Sequence, residues 1–192
     1  MLEEYDPKKA LRAARMRRPD PEDGPFTFEV RDAVPADIPH VRAIYNHYVR
    51  NSTVTFDEGE LSLAQMRAKL AKARKLGHPF LVAVRPSGEI IGYATVSPWR
   101  EKAAYRFTVE NSIYLGPAAT GKGVGTVLLK ALIDASKAAG IKEIIAVIAD
   151  RGAEASIALH EKFGFKEIGR MGRVGYKFDR WLGTVLLQKS LK

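Results

Sequence analysis

Glu110 stands inside a run, 106–115, that is otherwise rich in Thr, Val, Ile and Tyr and reads as a β-strand. Strand interiors disfavour glutamate, and an unpaired buried carboxylate is costly. Such a residue is either exposed or ion-paired, with Arg106 as a candidate partner, or it has a task. The two-residue period of a strand puts Thr108, Glu110, Ser112 and Tyr114 on one face. A carboxylate on that face can take a proton from an amine, directly or through one water, which is general-base chemistry.

A second chemical signal follows at once: Thr120-Gly121-Lys122-Gly123-Val124-Gly125-Thr126. Alternate glycines let successive backbone N–H groups point into one concavity with no Cβ in the way. A helix starting there adds unpaired donors and the positive end of its dipole. A pyrophosphate fits such a turn without a metal. The spacing is not the Gly-x-Gly-x-x-Gly of a dinucleotide fold, and it falls late in the chain. It is not a P-loop, which needs Gly-x-x-x-x-Gly-Lys-Ser/Thr. A plain glycine-rich turn into a helix is the competing reading.

These residues need a frame, and the patterning supplies one. Phe26, Phe28 and Val30 alternate with polar residues as a first strand. Asp37 precedes Ile38, Val41, Ile44, Tyr45 and Tyr48, which is helical spacing with an N-cap candidate. Ser62 caps a second helix to about Leu76. Strands over 80–85 and 89–96 flank the turn Pro86-Ser87-Gly88 as a hairpin. The strand 106–115, the glycine turn and a helix over 123–139 come next. Gly140 closes that helix. The Ile- and Val-rich run 142–149 reads as a buried strand, 153–163 as a helix, and 165–190 as two strands around Asp179-Arg180-Trp181. The order is α/β, with a central pair of parallel strands and right-handed crossovers expected.

Composition narrows the function classes. The 192 residues suit one domain. With no cysteine, disulfides, thiolate metal sites and cysteine nucleophiles are excluded. The four histidines lack ligand spacing, so no metal is expected. No secretory signal or membrane-length apolar run is present, so a cytoplasmic protein without membrane partners is expected. The net charge of +9 attracts anions, but the basic residues are dispersed and no nucleic-acid motif accompanies them. Residues 1–25 carry Lys8, Lys9, Arg12, Arg15, Arg17 and Arg18 against Glu3, Glu4, Asp6, Asp20, Glu22 and Asp23. They are expected to be a mobile charged extension to a domain at 26–192.

The run Val109-Glu110-Asn111-Ser112-Ile113-Tyr114-Leu115, then Pro117, then Gly121-Lys122-Gly123-Val124-Gly125, resembles motif A of the GNAT N-acetyltransferase superfamily. Three further segments are similar to its phosphinothricin and methionine sulfoximine acetyltransferases. They are Ile44-Tyr45-Asn46, Ser156 to His160 with Gly164-Phe165, and Val174 to Phe178 with Arg180-Trp181. The likeness spans about 26–191. It implies a mixed sheet whose fourth and fifth strands splay, flanked by about four helices, with acetyl-CoA as co-substrate. The pantetheine arm would pair with the backbone of Ile113, Tyr114 and Leu115 as an added strand does. The pyrophosphate would lie on Gly121, Lys122, Gly123, Val124, Gly125 and Thr126, with Ser156 also touching the cofactor.

The resemblance makes Glu110 the general base of a direct transfer to the α-amino group of a small amino-acid-like acceptor. A backbone N–H near Leu115, where the strand is expected to bulge, would hold the oxyanion. His160 takes the place of a thiolate-protonating tyrosine, as proton donor or cofactor contact, against the plain reading of a packed histidine. Arg100 and Arg106 are candidates for an acidic group of the acceptor; Asn111 and Ser112, beside Glu110, for its amino end. Tyr45, Tyr105 and 174–178 are candidates for the pocket wall or a homodimer interface. Thr120 and Ala153 depart from the family's usual Gln or Arg and Asn. Another amine, a peptide N-terminus included, and a non-catalytic acyl-CoA sensor are the alternatives.

Overall fold

The computed structural model describes residues 26–192; the expectations for 1–25 lie outside the described residues. Seven strands form one sheet in the order β1-β2-β3-β4-β5-β7-β6. They are β1 (Glu29–Asp32), β2 (Phe80–Val84), β3 (Ile90–Pro98), β4 (Thr108–Leu115), β5 (Glu143–Ala149), β6 (Lys166–Lys177) and β7 (Arg180–Ser190). Four helices cover it: α1 (Ile38–Asn51), α2 (Leu63–Lys75), α3 (Val124–Ala138) and α4 (Glu154–Lys162).

Two apolar layers sandwich the sheet. On one side Ile38, Val41, Ile44, Tyr45 and Val49 of α1 and Met66, Leu70 and Ala73 of α2 pack on Val82, Val84 and Tyr93. On the other, Val124, Leu128, Leu129, Leu132 and Ile133 of α3 pack on Ala83, Ile91, Ala94, Val109 and Ile144. Gly92 lets α3 come close, because a Cβ there would lie 2.9 Å from Leu115 Cδ2 and 3.2 Å from Leu128 Cδ1. α2 begins as its sequence indicates: Ser62 Oγ accepts from Gln65 N–H at 3.2 Å, and Gln65 Oε1 accepts from Ser62 N–H at 2.7 Å.

Four expectations are corrected locally. Asp37 stands at the N-cap position of α1, as expected, but its side chain makes no cap bond to that helix. It ends a short 3₁₀ turn, Pro35–Asp37, and its carboxylate accepts from Val34 N–H and the Arg31 guanidinium at 2.8 and 2.7 Å. The first strand starts at Glu29, and Phe26 and Phe28 instead pack on the α3 layer. β4 starts at Thr108, because 103–105 turn as a 3₁₀ helix and Arg106 N–H closes it on Ala103. No bulge occurs near Leu115: the β3–β4 register runs unbroken from Pro98↔Val109 to Gly92↔Leu115.

Among the described residues the one parallel pair is β4–β5; the other neighbours run antiparallel. That pair joins over three rungs only, Thr108↔Glu143, Val109↔Ile144 and Glu110↔Ile145. Beyond Glu110, β4 continues on β3 and β5 continues on β7, so the two central strands part. The site is built at this fork.

Candidate active site

Glu110 occupies the last rung before the fork, opposite Ser97 on β3 and Ile145 on β5. It is half-buried. Burial raises its pKa above the ordinary carboxylate range, and the nearby Arg100 guanidinium draws it partly back. Arg100 is exposed and stacks 4.6 Å over Trp99. Arg106 leans away: it stacks 4.6 Å over Phe107 and donates to the Ala103 carbonyl at 3.3 Å. Arg100, and not Arg106, is therefore the cation that faces Glu110.

The face of Glu110 continues into a cavity of about 70 Å³, lined among others by Tyr45, Lys69, Tyr93, Thr95, Ser112 and Tyr114. Tyr114 packs edge-on against Tyr45 at 5.2 Å and stacks on Tyr93 at 5.4 Å. Burial is the main reason its hydroxyl pKa is pushed up to about 12, so it stays protonated. The Tyr45 hydroxyl donates to Asp57 and shares a hydrogen bond with Thr55 Oγ1 at 3.1 Å. Lys177 is buried behind that loop, its ammonium donating to the carbonyls of Ser52 and Thr55 at 2.9 Å each.

Asn111 is not on this face. Strand alternation sends it to the α3–α4 side, where it is buried and its amide donates to His160 Nε2 at 2.9 Å. His160 Nδ1 donates to the Ser156 carbonyl at 2.7 Å, and its ring meets Phe165 edge-on at 4.9 Å. Burial lowers the His160 pKa. The structure thus brings His160 and Ser156 together with Asn111, while Ser112 stays with the Glu110 face.

Past the fork, the edge of β4 at Ile113, Tyr114 and Leu115 is left without a β5 partner. Tyr48 reaches this edge from α1 and donates to the Leu115 carbonyl at 2.8 Å. Sequence reasoning did not assign that contact. Its signal was the i, i+3 spacing of Tyr45 and Tyr48, which puts both rings on the helix face that meets β4. The glycine turn lies directly beyond. Gly121 and Gly123 adopt φ of 75° and 78°, and a Cβ on either would meet nothing within 4 Å. The turn is open, and Gly123 is the N-cap of α3. The N–H groups of Val124 and Gly125, in the first turn, have no preceding helical carbonyl to bond. Ala153 precedes α4 with no side-chain cap.

Residues 41–165 match the profile of the Acetyltransferase (GNAT) family. The chain belongs to the GNAT family. Among curated GNAT relatives it is 43% identical over 155 residues to a phosphinothricin N-acetyltransferase of Alcaligenes faecalis, covering 81% of this chain and 78% of that one. It is 41% identical over 162 residues to an L-methionine sulfoximine/L-methionine sulfone acetyltransferase of Pseudomonas paraeruginosa, covering 84% and 94%. A phosphinothricin acetyltransferase of Sinorhizobium meliloti, solved in complex with acetyl-CoA, is 42% identical with a TM-score of 0.82 over 86% of this chain and 89% of that one. The chain is therefore a GNAT N-acetyltransferase, and its forked β4–β5 pair is part of the GNAT fold.

Among the described residues of this GNAT chain, no cluster of three or more His, Asp or Glu side chains could hold a metal ion. None of its described helices is long and apolar enough to cross a membrane.

Proposed function

We propose that this GNAT chain transfers the acetyl group of acetyl-CoA directly to the α-amino group of a phosphinothricin-, methionine sulfoximine- or methionine sulfone-type acceptor. The observation that carries the reading is Glu110 on the last shared rung of β4 and β5. It shares a strand face with Ser112 and Tyr114, which line the cavity, while the free edge of β4 runs from that rung toward the glycine turn.

The chain's own groups fit acetyl-CoA. On the side away from β3, the backbone of 113–115 has no β5 partner and offers the pantetheine arm an edge to pair with, the Leu115 carbonyl there already accepting from Tyr48. The open turn 121–126 and the start of α3 offer amides to the pyrophosphate. The Ser156 backbone carbonyl is occupied by His160, which leaves Ser156 a contact through its side chain.

Glu110 takes a proton from the acceptor ammonium, directly or through one water, and its raised pKa strengthens it as a base. The free amine attacks the thioester carbonyl, and the tetrahedral adduct collapses to amide and CoA thiolate. An amide N–H of the unpaired β4 edge stabilises the oxyanion without needing a bulge. Arg100 holds an acidic group of the acceptor, with Ser112 beside the amine; Arg106 and Asn111 are set apart from this cluster. We assign His160 a positioning role, because both ring nitrogens are already bonded. The thiolate then takes its proton from solvent or from the product nitrogen.

A homodimer is supported by the outer side of the β6–β7 hairpin. Ile168, Met171, Val174, Tyr176, Phe178 and Trp181 are exposed there on an edge of the sheet. We place the reaction in the cytoplasm, with no metal taking part.

The test is CoA release with phosphinothricin, methionine sulfoximine, methionine sulfone, other amino acids and peptide N-termini as acceptors. Preferred turnover of the first three is expected. Turnover confined to peptides, or tight acetyl-CoA binding with no turnover, would replace the acceptor assignment.

A further inference from the structure

Two cations converge on one ring beside the glycine turn. The Arg85 guanidinium lies 5.3 Å from the ring centroid of Phe26, and Lys122 Nζ lies 5.9 Å from the same centroid. Lys122 belongs to the turn itself. Arg85 follows β2 and opens the hairpin into β3, with its N–H bonded to the Glu89 carbonyl at 2.9 Å. The sheet explains why they meet. The start of β3 lies against the end of β4, with Gly92 opposite Leu115 and Gly116 N–H bonded to the Ile91 carbonyl at 2.8 Å. The β2–β3 hairpin is thereby carried alongside the loop that leads into the turn.

Two cations 5.3 and 5.9 Å from one ring centroid raise the local positive potential, which attracts an anion. The opposing charge within the protein is slight. Arg85 pairs with Glu89 at 3.7 Å, with the two side chains 37% and 54% exposed. Such a pair is worth little. Lys122 makes no salt bridge among the described residues. A cation held over an aromatic ring keeps N–H donors free for a further ligand.

We propose that Arg85 and Lys122 form a side-chain site for a phosphate monoester, and that its occupant is the ribose 3′-phosphate of CoA. The inference rests on acetyl-CoA as co-substrate. CoA carries three phosphates. Two form the diester pyrophosphate, which backbone amides of the turn can hold. The third is a monoester on the adjoining ribose, near-dianionic at neutral pH. It lies a few ångströms beyond the pyrophosphate, and it calls for side-chain cations. Arg85 supplies a planar fork and Lys122 a point charge. Phe26, packed on the α3 layer, holds both in place.

Calorimetric titration of the full chain with CoA and with 3′-dephospho-CoA tests the assignment without turnover. The wild type is expected to favour CoA by on the order of tenfold or more, with the preference shrinking as salt is raised. Arg85→Ala and Arg85→Gln should weaken CoA and leave 3′-dephospho-CoA unchanged, so that the preference collapses. Lys122→Ala should do the same in part. Equal affinity of the wild type for both ligands would overturn the proposal. So would an Arg85 variant that weakens both ligands alike, since Arg85 would then serve the pyrophosphate. Failure of the wild type to bind CoA at all would remove the co-substrate reading and this inference with it.

Discussion

The Asn111 amide donates to Nε2 of His160 at 2.9 Å, and Nδ1 of the same ring donates to the Ser156 carbonyl at 2.7 Å. A carbonyl only accepts, so the ring proton sits on Nδ1 and Nε2 is an acceptor. His160 is neutral, and the pair ties α4 to β4 one residue past the last β4–β5 rung.

A histidine held neutral makes stability depend on pH. Burial lowers the folded pKa of His160 below its unfolded value near 6.5. The unfolded chain therefore binds more protons in that window, and stability is lost as pH falls below about 6.5. His160→Ala should cost about 3 kcal/mol, from lost packing on Phe165 and two lost hydrogen bonds. It should also flatten this part of the acid dependence. Urea denaturation at several pH values reads both. His160→Gln, which keeps polar atoms in place, should retain kcat within a few-fold if the ring is not the acid.

Much of this was legible because patterning and chemistry coincide. The capping residues Ser62 and Gln65, the alternation in β4 and the glycine turn each mark an element by local rules, and all three held. The fork was not legible from spacing. Nothing within 106–115 or 142–149 says that pairing stops at Glu110, because that depends on which strands flank the pair. Only the family likeness supplied it. Asn111 shows the opposite failure. Adjacency to Glu110 suggested a shared role, yet the period of two sends neighbours to opposite faces. Asp37 stands at the cap position its sequence indicates, but the Arg31 guanidinium and the Val34 N–H hold its carboxylate away from the helix amides.

The turn should tolerate substitution poorly where φ is positive. Gly123→Ala meets no neighbour within 4 Å, so its penalty is conformational, at φ 78°. It should cost about 1 kcal/mol of stability. It should also raise KM for acetyl-CoA while leaving kcat nearly unchanged, because the amides that face the pyrophosphate shift. Steady-state kinetics alongside thermal melts separate the two effects.

Tyr48→Phe isolates one hydrogen bond. The ring keeps its place 5.3 Å from Tyr114, but the donor to the Leu115 carbonyl is lost. Stability should fall by about 1 kcal/mol. With the free edge of β4 less fixed, KM for acetyl-CoA should rise more than KM for the acceptor. A change confined to the acceptor would place Tyr48 in the cavity wall instead.

Charge at Glu110 should oppose stability. Its folded pKa is raised, so the folded chain binds more protons than the unfolded chain above the ordinary carboxylate pKa. Stability conferred by the protonated form is lost as pH rises through the folded value. Glu110→Gln should therefore melt no lower than the wild type at pH 7, and calorimetry at pH 5 and pH 7 should show the gap between them widening.

The most direct measurement is the pH profile of kcat/KM for wild type and Glu110→Gln, taken with acetyl-CoA affinity measured separately by calorimetry. The expected result is a wild-type acid limb set above the ordinary carboxylate range. In the variant, activity falls about 10²- to 10⁴-fold and the limb is lost, with acetyl-CoA binding unchanged. A variant that keeps activity within a few-fold and the same limb would contradict Glu110 as the base.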